Sequence, residues 1–495
     1  MKHFILSGCV LACSLCLPWQ AEAQTLSVNM GNISFAHQKA AVGEMNFADG
    51  KTLTIEGRTY NIGDITNITV DDALTVDDNT VSVAFNDDEA QVTVAGNLAA
   101  NVDVSVKGAN VCVLANANIT EPITYTLSGN SSQGSFYMDG SANAAIVLDN
   151  LSLSSPDSAA IFIENGKLIS LQLVGSNTLA DAASSTKSAC LYINGHAEIS
   201  GEGQLSLCGH ARHAYFSDEY TLMKSGSISV SSAAADGMHV NEYFQMDGGT
   251  ITITSEGDGI DVGAKKNSTH ALNGQLMLNG GTLNVTSTGT ASKAIKADGD
   301  ITLGGADVTA TAKGGATYET TVDETTGKTV GDVSSSAAIK TDGALGMTAG
   351  TVALLNTGEG GRGLNAAGAV SVSGGKLSIV TMGGRYKYDS NYDSKPQGLK
   401  SDGDITLSGG KVYVAVSIAK ATTLKTDYNV NINGATVVAI GGKDFTPSAS
   451  SQAYSKYTAQ SFTAAESITV GGTNYDFTLP AGYSISNATV LVSKP

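Results

Sequence analysis

Apolar residues alternate with polar ones in short runs along most of this chain, and helical spacing is scarce. Val81-Ser82-Val83, Val92-Thr93-Val94, Val102-Asp103-Val104 and Val111-Cys112-Val113 open the series, and Ile161-Phe162-Ile163 and Leu191-Tyr192-Ile193 continue it. A period of two predicts strands. From Ala214 to Lys425 the alternation settles into a phrase that occurs eight times: a small residue, an apolar residue, an outward position, then a turn and two more short strands around a Gly-Gly step. The cleanest copies are Ala294-Ile295-Lys296-Ala297-Asp298-Gly299, Ala338-Ile339-Lys340-Thr341-Asp342-Gly343 and Gly398-Leu399-Lys400-Ser401-Asp402-Gly403.

The second position of each step falls at Gly226, Gly249, Gly281, Gly305, Gly350, Gly375, Gly410 and Ala435, with spacings of 23, 32, 24, 45, 25, 35 and 25. A base coil of about 23–25 residues with insertions predicts a stacked solenoid. Three short strands per coil, hydrogen-bonded to the next coil, make an all-β parallel β-helix, right-handed because parallel crossovers favour that hand. The expected organisation is a small N-terminal β unit over 24–80, a β-helix over 81–445, and a C-terminal β cap over 446–495. Within 24–80, Thr52–Ile55 and Arg58–Ile62 predict a hairpin around Glu56-Gly57. Insertions at 313–335 and 381–396 precede the Ile-Lys strand, and 264–274 follows it, so the loops gather beside one face.

With Ile295 and its equivalents inward, the next residues form an outward column: Phe216, His239, Asp261, Lys296, Lys340, Asn365, Lys400 and Lys425. The small residues before the apolar ones predict a bare strip, a shallow groove beside the lysines. One place further upstream stand His213, Asp236, Asp258, Lys293, Ala337, Arg362 and Gln397. Stacked lysines repel, so Lys293, Lys296, Lys340, Arg362, Asn365, Lys400 and Lys425 read as a binding face for an anionic or hydroxyl-rich partner, against the alternative of a solvated face. Arg385, Tyr386 and Tyr388 in the 381–396 loop extend that candidate site, or else only pack the loop. Asp236, Asp258 and Asp261 on adjacent coils read either as oxygen ligands for Ca²⁺ or as turn residues. For Asp298, Asp342 and Asp402 the turn reading is preferred.

Charge narrows the partner. The chain carries 46 acidic against 28 basic residues, a net charge of -18, which argues against nucleic acid. Met1-Lys2-His3, an apolar run from Phe4 to Leu17 and Ala21-Glu22-Ala23 predict a secretory signal over 1–23 and a periplasmic, surface or extracellular location. The run before Cys9 is too short to favour a lipoprotein signal. No other stretch is apolar enough to span a membrane. Cys112, Cys190 and Cys208 remain, an odd count that is no disulfide framework; small buried thiols are preferred over a bond between Cys190 and Cys208 on neighbouring coils.

Asp236-Gly237-Met238-His239, Asp258-Gly259-Ile260-Asp261 and Gly363-Leu364-Asn365-Ala366-Ala367-Gly368, with the runs Gly299–Leu303 and Gly403–Leu407, resemble a family of secreted bacterial carbohydrate-binding β-helix proteins. Its clostridial type member binds polygalacturonate and cellulose. The resemblance covers roughly residues 81–445, and the family is similar to pectate lyases in fold and calcium use while binding rather than cleaving. It implies Ca²⁺ near Asp236, Asp258 and Asp261 and binding without catalysis. With the lysine-lined face, the expectation is a monomer that binds an acidic plant or host polysaccharide. Two rivals remain open. A calcium-dependent polysaccharide lyase would use Lys293, Lys296 or Arg362 as base, and an adhesin or scaffold would use the solenoid as a stalk.

Overall fold

The computed structural model describes residues 24–322, 327–418 and 421–495; the predicted signal lies outside the described residues. The described residues divide into two compact units, the first made of those up to Asp78 with Val94–Ala100 and the second of Asn79–Thr93 with those from Asn101 onward. In the first unit Thr25–Met30 pairs antiparallel with Ile33–Gln38 and with Asn67–Asp71. Thr52–Ile55 and Arg58–Asn61 form the expected hairpin, turning at Glu56 and Gly57, both with positive φ. Leu53, Ile55 and Tyr60 are buried there, and His37 bonds Glu56 at 2.6 Å and Tyr60 at 3.0 Å.

The second unit is a solenoid of parallel coils. Val102–Lys107 and Asn110–Ala115 depart from the expected parallel series: they pair antiparallel, because Gly108 allows a turn too tight for a coil. From Asn110–Ala115 onward each strand stacks in parallel on its counterpart in the next coil. In the regular part three faces recur, as in Lys293–Ala297, Ile301–Leu303 and Asp307–Ala312. The inward ladder Met238, Ile260, Ile295, Ile339, Leu364, Leu399 runs in register and is fully buried. Among the described residues there is no α-helix, and none is long and apolar enough to cross a membrane.

The Gly-Gly step makes the corner between the second and third faces. Gly226, Gly249, Gly281, Gly350, Gly375 and Gly410 all have positive φ, and a Cβ on Gly281 would sit 2.6 Å from the Gly249 carbonyl of the coil below. Only glycine suits that conformation and that approach.

The predicted bare strip is not on the surface. Ala214, Ala294 and Ala338 are completely buried, and a Cβ on Gly237, Gly259, Gly363 or Gly398 would collide with Ile253, Val285, Ile379 or Val414 of the third face. The backbone bends where the first-face strand begins, so the small residue and the apolar residue after it both turn inward. Small residues are there because the first and third faces meet at that corner, and the shallow groove expected beside the lysines does not exist.

The insertions fold onto the solenoid. Thr317–Val322 and Thr329–Ser334 form an antiparallel hairpin, and Tyr386–Lys387 pairs with Asp393–Ser394 in the later loop. At the far end Leu479–Ser493 runs antiparallel to the last coil's Thr436–Gly441 and to Tyr454–Ala465. Phe477, Tyr483, Ile485 and Val490 bury the outer side of Tyr413, Val438 and Ile440. Each of the three cysteines among the described residues is free; Cys190 is buried as expected, but Cys112 and Cys208 are only half-buried, because their side chains point away from the inward ladder.

Candidate functional site

The first face carries two outward columns, and the backbone register places them as the pattern predicts. Strand pairing aligns Phe216, His239, Asp261, Lys296, Lys340, Asn365, Lys400 and Lys425 coil upon coil. The same column runs further back than expected, through Phe162 and Tyr192 to Tyr137. Those aromatic rings stack: Tyr137 on Phe162 at 5.6 Å, Phe162 on Tyr192 at 4.5 Å, Tyr192 on Phe216 at 4.8 Å, and Phe216 on His239 at 5.3 Å. The Lys187 ammonium lies 4.1 Å from the Phe162 ring centre. With ring faces covered by neighbouring rings, this half of the column is a packed spine rather than a platform for sugars.

His239 ends the spine and begins an ionic cluster. Its Nδ1 lies 3.1 Å from Asp236 Oδ2 and 3.4 Å from Asp261 Oδ2, and His213 Nδ1 lies 3.2 Å from the same Asp236 oxygen. Lys296 Nζ reaches Asp261 Oδ1 at 2.8 Å. Main-chain amides use the remaining oxygens: Asp258 N donates to Asp236 Oδ1 at 2.8 Å, and Lys293 N donates to Asp258 Oδ1 at 2.7 Å. Burial opposes ionisation of Asp236, but hydrogen bonds from His213 and His239 outweigh it and hold the carboxyl well below its usual range. Burial likewise opposes a charged His239, yet Asp236 and Asp261 raise its pKa to about 9. Burial pushes Asp258 up to about 6, outweighing the hydrogen bond from the Lys293 amide and the attraction of the Lys293 ammonium.

Calcium does not fit this arrangement. It takes six to eight oxygens. Here two of the three donor atoms that converge are imidazole nitrogens, those of His213 and His239 with Asp236. Asp258 stands outside that group with one oxygen committed to an amide, and Asp261 shares its charge with Lys296.

Two coils further on, the first face forms the floor of a cavity of about 290 Å³. Lys293, Lys340, Arg362 and Asn365 line it from below, and Glu319 and Asp332 of the hairpin line it from above. Two buried polar atoms here, Arg362 Nε and Asn365 Oδ1, have no hydrogen-bond partner among the described residues, nor has Gln397 Oε1 one coil on. Buried polar atoms are nearly always paired, so three on neighbouring coils mark a place for a ligand or water. Burial depresses the Lys293 ammonium below the ordinary lysine value, helped by the like charges of Lys340 and Lys296 and opposed by Asp258.

The family model of carbohydrate-binding domain-containing proteins matches residues 115–383, more than half of the chain. The chain belongs to that family. Among solved structures, the polysaccharide lyase-like protein from C. thermocellum, as its gadolinium derivative, is 24% identical to this carbohydrate-binding protein, with a TM-score of 0.42. The likeness covers 54% of this chain and 96% of that one. No curated protein matches.

The structure divides the expected ligand-binding residues of this carbohydrate-binding protein. Lys293, Lys340, Arg362 and Asn365 come together in the cavity. Lys296 belongs to the ionic cluster instead. Lys340 and Lys400 also pair with the aspartates two residues ahead, Lys340 with Asp342 at 2.9 Å and Lys400 with Asp402 at 2.7 Å, and Lys425 pairs with Asp427. The turn aspartates thus neutralise the lysine column locally. Arg385 pairs with Asp393 inside its own loop. Tyr388 stacks on Tyr318 at 4.0 Å, and Tyr386 Oη accepts the Tyr318 amide at 3.0 Å. These residues hold the hairpin and do not line the cavity. Glu319 and Asp332 were missed because nothing in the residues of an insertion says which part of the face it covers.

Proposed function

We propose that the protein binds an acidic, uronate-containing glycan without cleaving it, and that one sugar unit occupies the cavity under the 317–334 hairpin. The observation that supports this is the pair of unpartnered atoms, Arg362 Nε and Asn365 Oδ1, one coil beyond Lys340 and two beyond Lys293. A uronate ring carries the complement of both. Its carboxylate accepts from Arg362 and neutralises Lys293, while ring hydroxyls meet Asn365 and Lys340, whose charge Asp342 already shares. A neutral sugar would bring no charge to balance Lys293 and Arg362 on this floor, where, among the described residues, Lys340 alone already has an ion-pair partner, Asp342. The cavity, at the small end of ligand pockets, suits one ring better than a long bound stretch. The reading takes the coils as right-handed and the chain as exported through its leader and monomeric. Calcium enters it only through oxygens supplied by the glycan.

Titration calorimetry with galacturonate oligomers and with neutral cello-oligomers tests it. Binding of the acidic series alone is expected, and equal binding of both series would sink the proposal. A second reading, a lyase, has one observation in its favour: the depressed pKa of Lys293 suits a general base. Ultraviolet absorbance of unsaturated product on polygalacturonate, abolished by Lys293→Ala, would replace the binding-only reading.

A further inference from the structure

The ionic cluster at the junction of the aromatic and basic halves of the first face has a geometry that the glycan reading does not use. His213 Nδ1, Asp236 Oδ2 and His239 Nδ1 all lie within 4.8 Å of one another. The two nitrogens stand 3.2 and 3.1 Å from the carboxylate oxygen. Donors bound tetrahedrally to one ion at about 2.0–2.1 Å are separated by about 3.3 Å, so these spacings already match the edges of a small coordination sphere.

Hydrogen bonding alone accounts poorly for His213. Its Nδ1 lies 3.3 Å from the Asp236 amide and 3.2 Å from Asp236 Oδ2, so a protonated nitrogen suits the carboxylate but not the amide, and an unprotonated one suits the amide but not the carboxylate. A metal ion in place of that proton would bridge the nitrogen and the carboxylate oxygen. The side chains of His213, Asp236 and His239 are only 6%, 15% and 22% exposed, so they are held by packing, with His213 4.9 Å from His239 and Phe216 stacked on His239. Asp261 stands beside the group as a further carboxylate, its second oxygen kept by Lys296.

We propose that His213, Asp236 and His239, with Asp261 adjacent, form a binding site for a divalent first-row transition metal of the zinc class. Two imidazoles and a carboxylate suit such ions and do not suit calcium. The other His-containing cluster, His196, Glu219 and Glu242, has only one imidazole, and the Lys265 ammonium already sits 2.6 Å from Glu219. That ammonium already balances the Glu219 charge, so this second cluster serves as a comparison within the same molecule.

The test uses the full mature chain without an affinity tag, stripped with EDTA and titrated with Zn²⁺ or Co²⁺. One equivalent per chain is expected, with visible d–d absorption for Co²⁺. The unvaried protein should gain thermal stability with rising Zn²⁺ and not with Ca²⁺. His213→Ala and His239→Ala should each weaken binding by at least about 10- to 100-fold, while Asp258→Asn and His196→Ala leave it unchanged. Failure to bind Zn²⁺ or Co²⁺, survival of the equivalent in both histidine variants, or displacement of Zn²⁺ by equimolar Ca²⁺ would each overturn the proposal. None of these readouts depends on glycan binding, so the two proposals fail separately.

Discussion

Arg362 and Asn365 stand on one strand with an unpartnered donor and an unpartnered acceptor. If a uronate satisfies both, Arg362→Met should cost roughly 1.5–3 kcal/mol, the worth of a hydrogen bond to a charged group, or at least about tenfold in affinity by calorimetry. Asn365→Ala, which removes a neutral contact, should cost less. Lys293 adds a pH dependence whose sign follows from its depressed pKa. Its charge helps hold the ligand and is lost as pH rises through that lowered value. Affinity for galacturonate oligomers should therefore begin to fall before the ordinary lysine range is reached. Lys293→Arg should remove the fall, since arginine keeps its proton; an identical alkaline limb in the variant would take Lys293 out of the site. Lys293, Arg362 and Asn365 were legible in the sequence as outward positions, because a repeat that fixes one inward ladder fixes its neighbours too. Which lysines were free was not legible. Whether Lys400 meets Asp402 or a ligand is decided by side-chain reach across a turn, and spacing does not record it.

At the scale of the element, the two insertions act together. The 381–396 loop grips the 317–334 hairpin through Tyr388 on Tyr318, the edge contact of Tyr392 with Tyr318 at 4.9 Å, and the Tyr386 hydroxyl on the Tyr318 amide. Ser335 and Ser394 add a hydrogen bond of 2.8 Å at the base. A two-stranded hairpin is marginal alone, so this grip fixes the roof of the cavity. Tyr318→Ala should leave the unfolding transition of the solenoid nearly unchanged, speed amide exchange in 317–334, and lower glycan affinity several-fold by adding the cost of ordering the roof. Unchanged exchange in the hairpin would show that the tyrosines are not its anchor. The positions of the insertions were legible as interruptions of the coil spacing. Their mutual packing was not, because it joins segments 68 residues apart that share no repeat. The small-residue column shows the opposite failure. Alternation placed Gly259 and its equivalents outside, but the strand bends there and turns two successive residues inward. Gly259→Ser should therefore destabilise by about 1–3 kcal/mol through its clash with Val285, measured by denaturant unfolding, although a surface glycine would tolerate it.

For the whole molecule the governing problem is that a stack of parallel coils ends in an open edge, and an open edge pairs with other chains. The last coil solves it with an antiparallel strand: Val437 to Gly441 pair with Thr489 to Ser493. The cap does a second job that sequence alternation half reveals. Lys411–Val416 and Thr436–Gly441 are apolar at nearly every position, which a strand with one wet face would not be, and their outward Tyr413, Ala415, Val438 and Ile440 are buried under Phe477, Tyr483, Ile485 and Val490. Loss of alternation was thus the legible sign that something covers this face, while the antiparallel direction of the covering strand was not. Deleting residues 446–495 should expose the edge and the apolar patch together. Each large side chain uncovered forfeits about 1.5–3 kcal/mol, but the coils far below keep every contact they had. A solenoid is stabilised mainly by neighbouring repeats, so the loss should fray the last coils rather than unfold the first. The truncated chain is therefore expected to keep its strand circular dichroism and to self-associate in a concentration-dependent way, seen by light scattering. Adding back charge at the exposed patch, as Val438→Lys with Ile440→Lys in the truncated chain, should reduce that association. A truncated chain that stays monomeric without those lysines would show that the cap protects neither edge nor face.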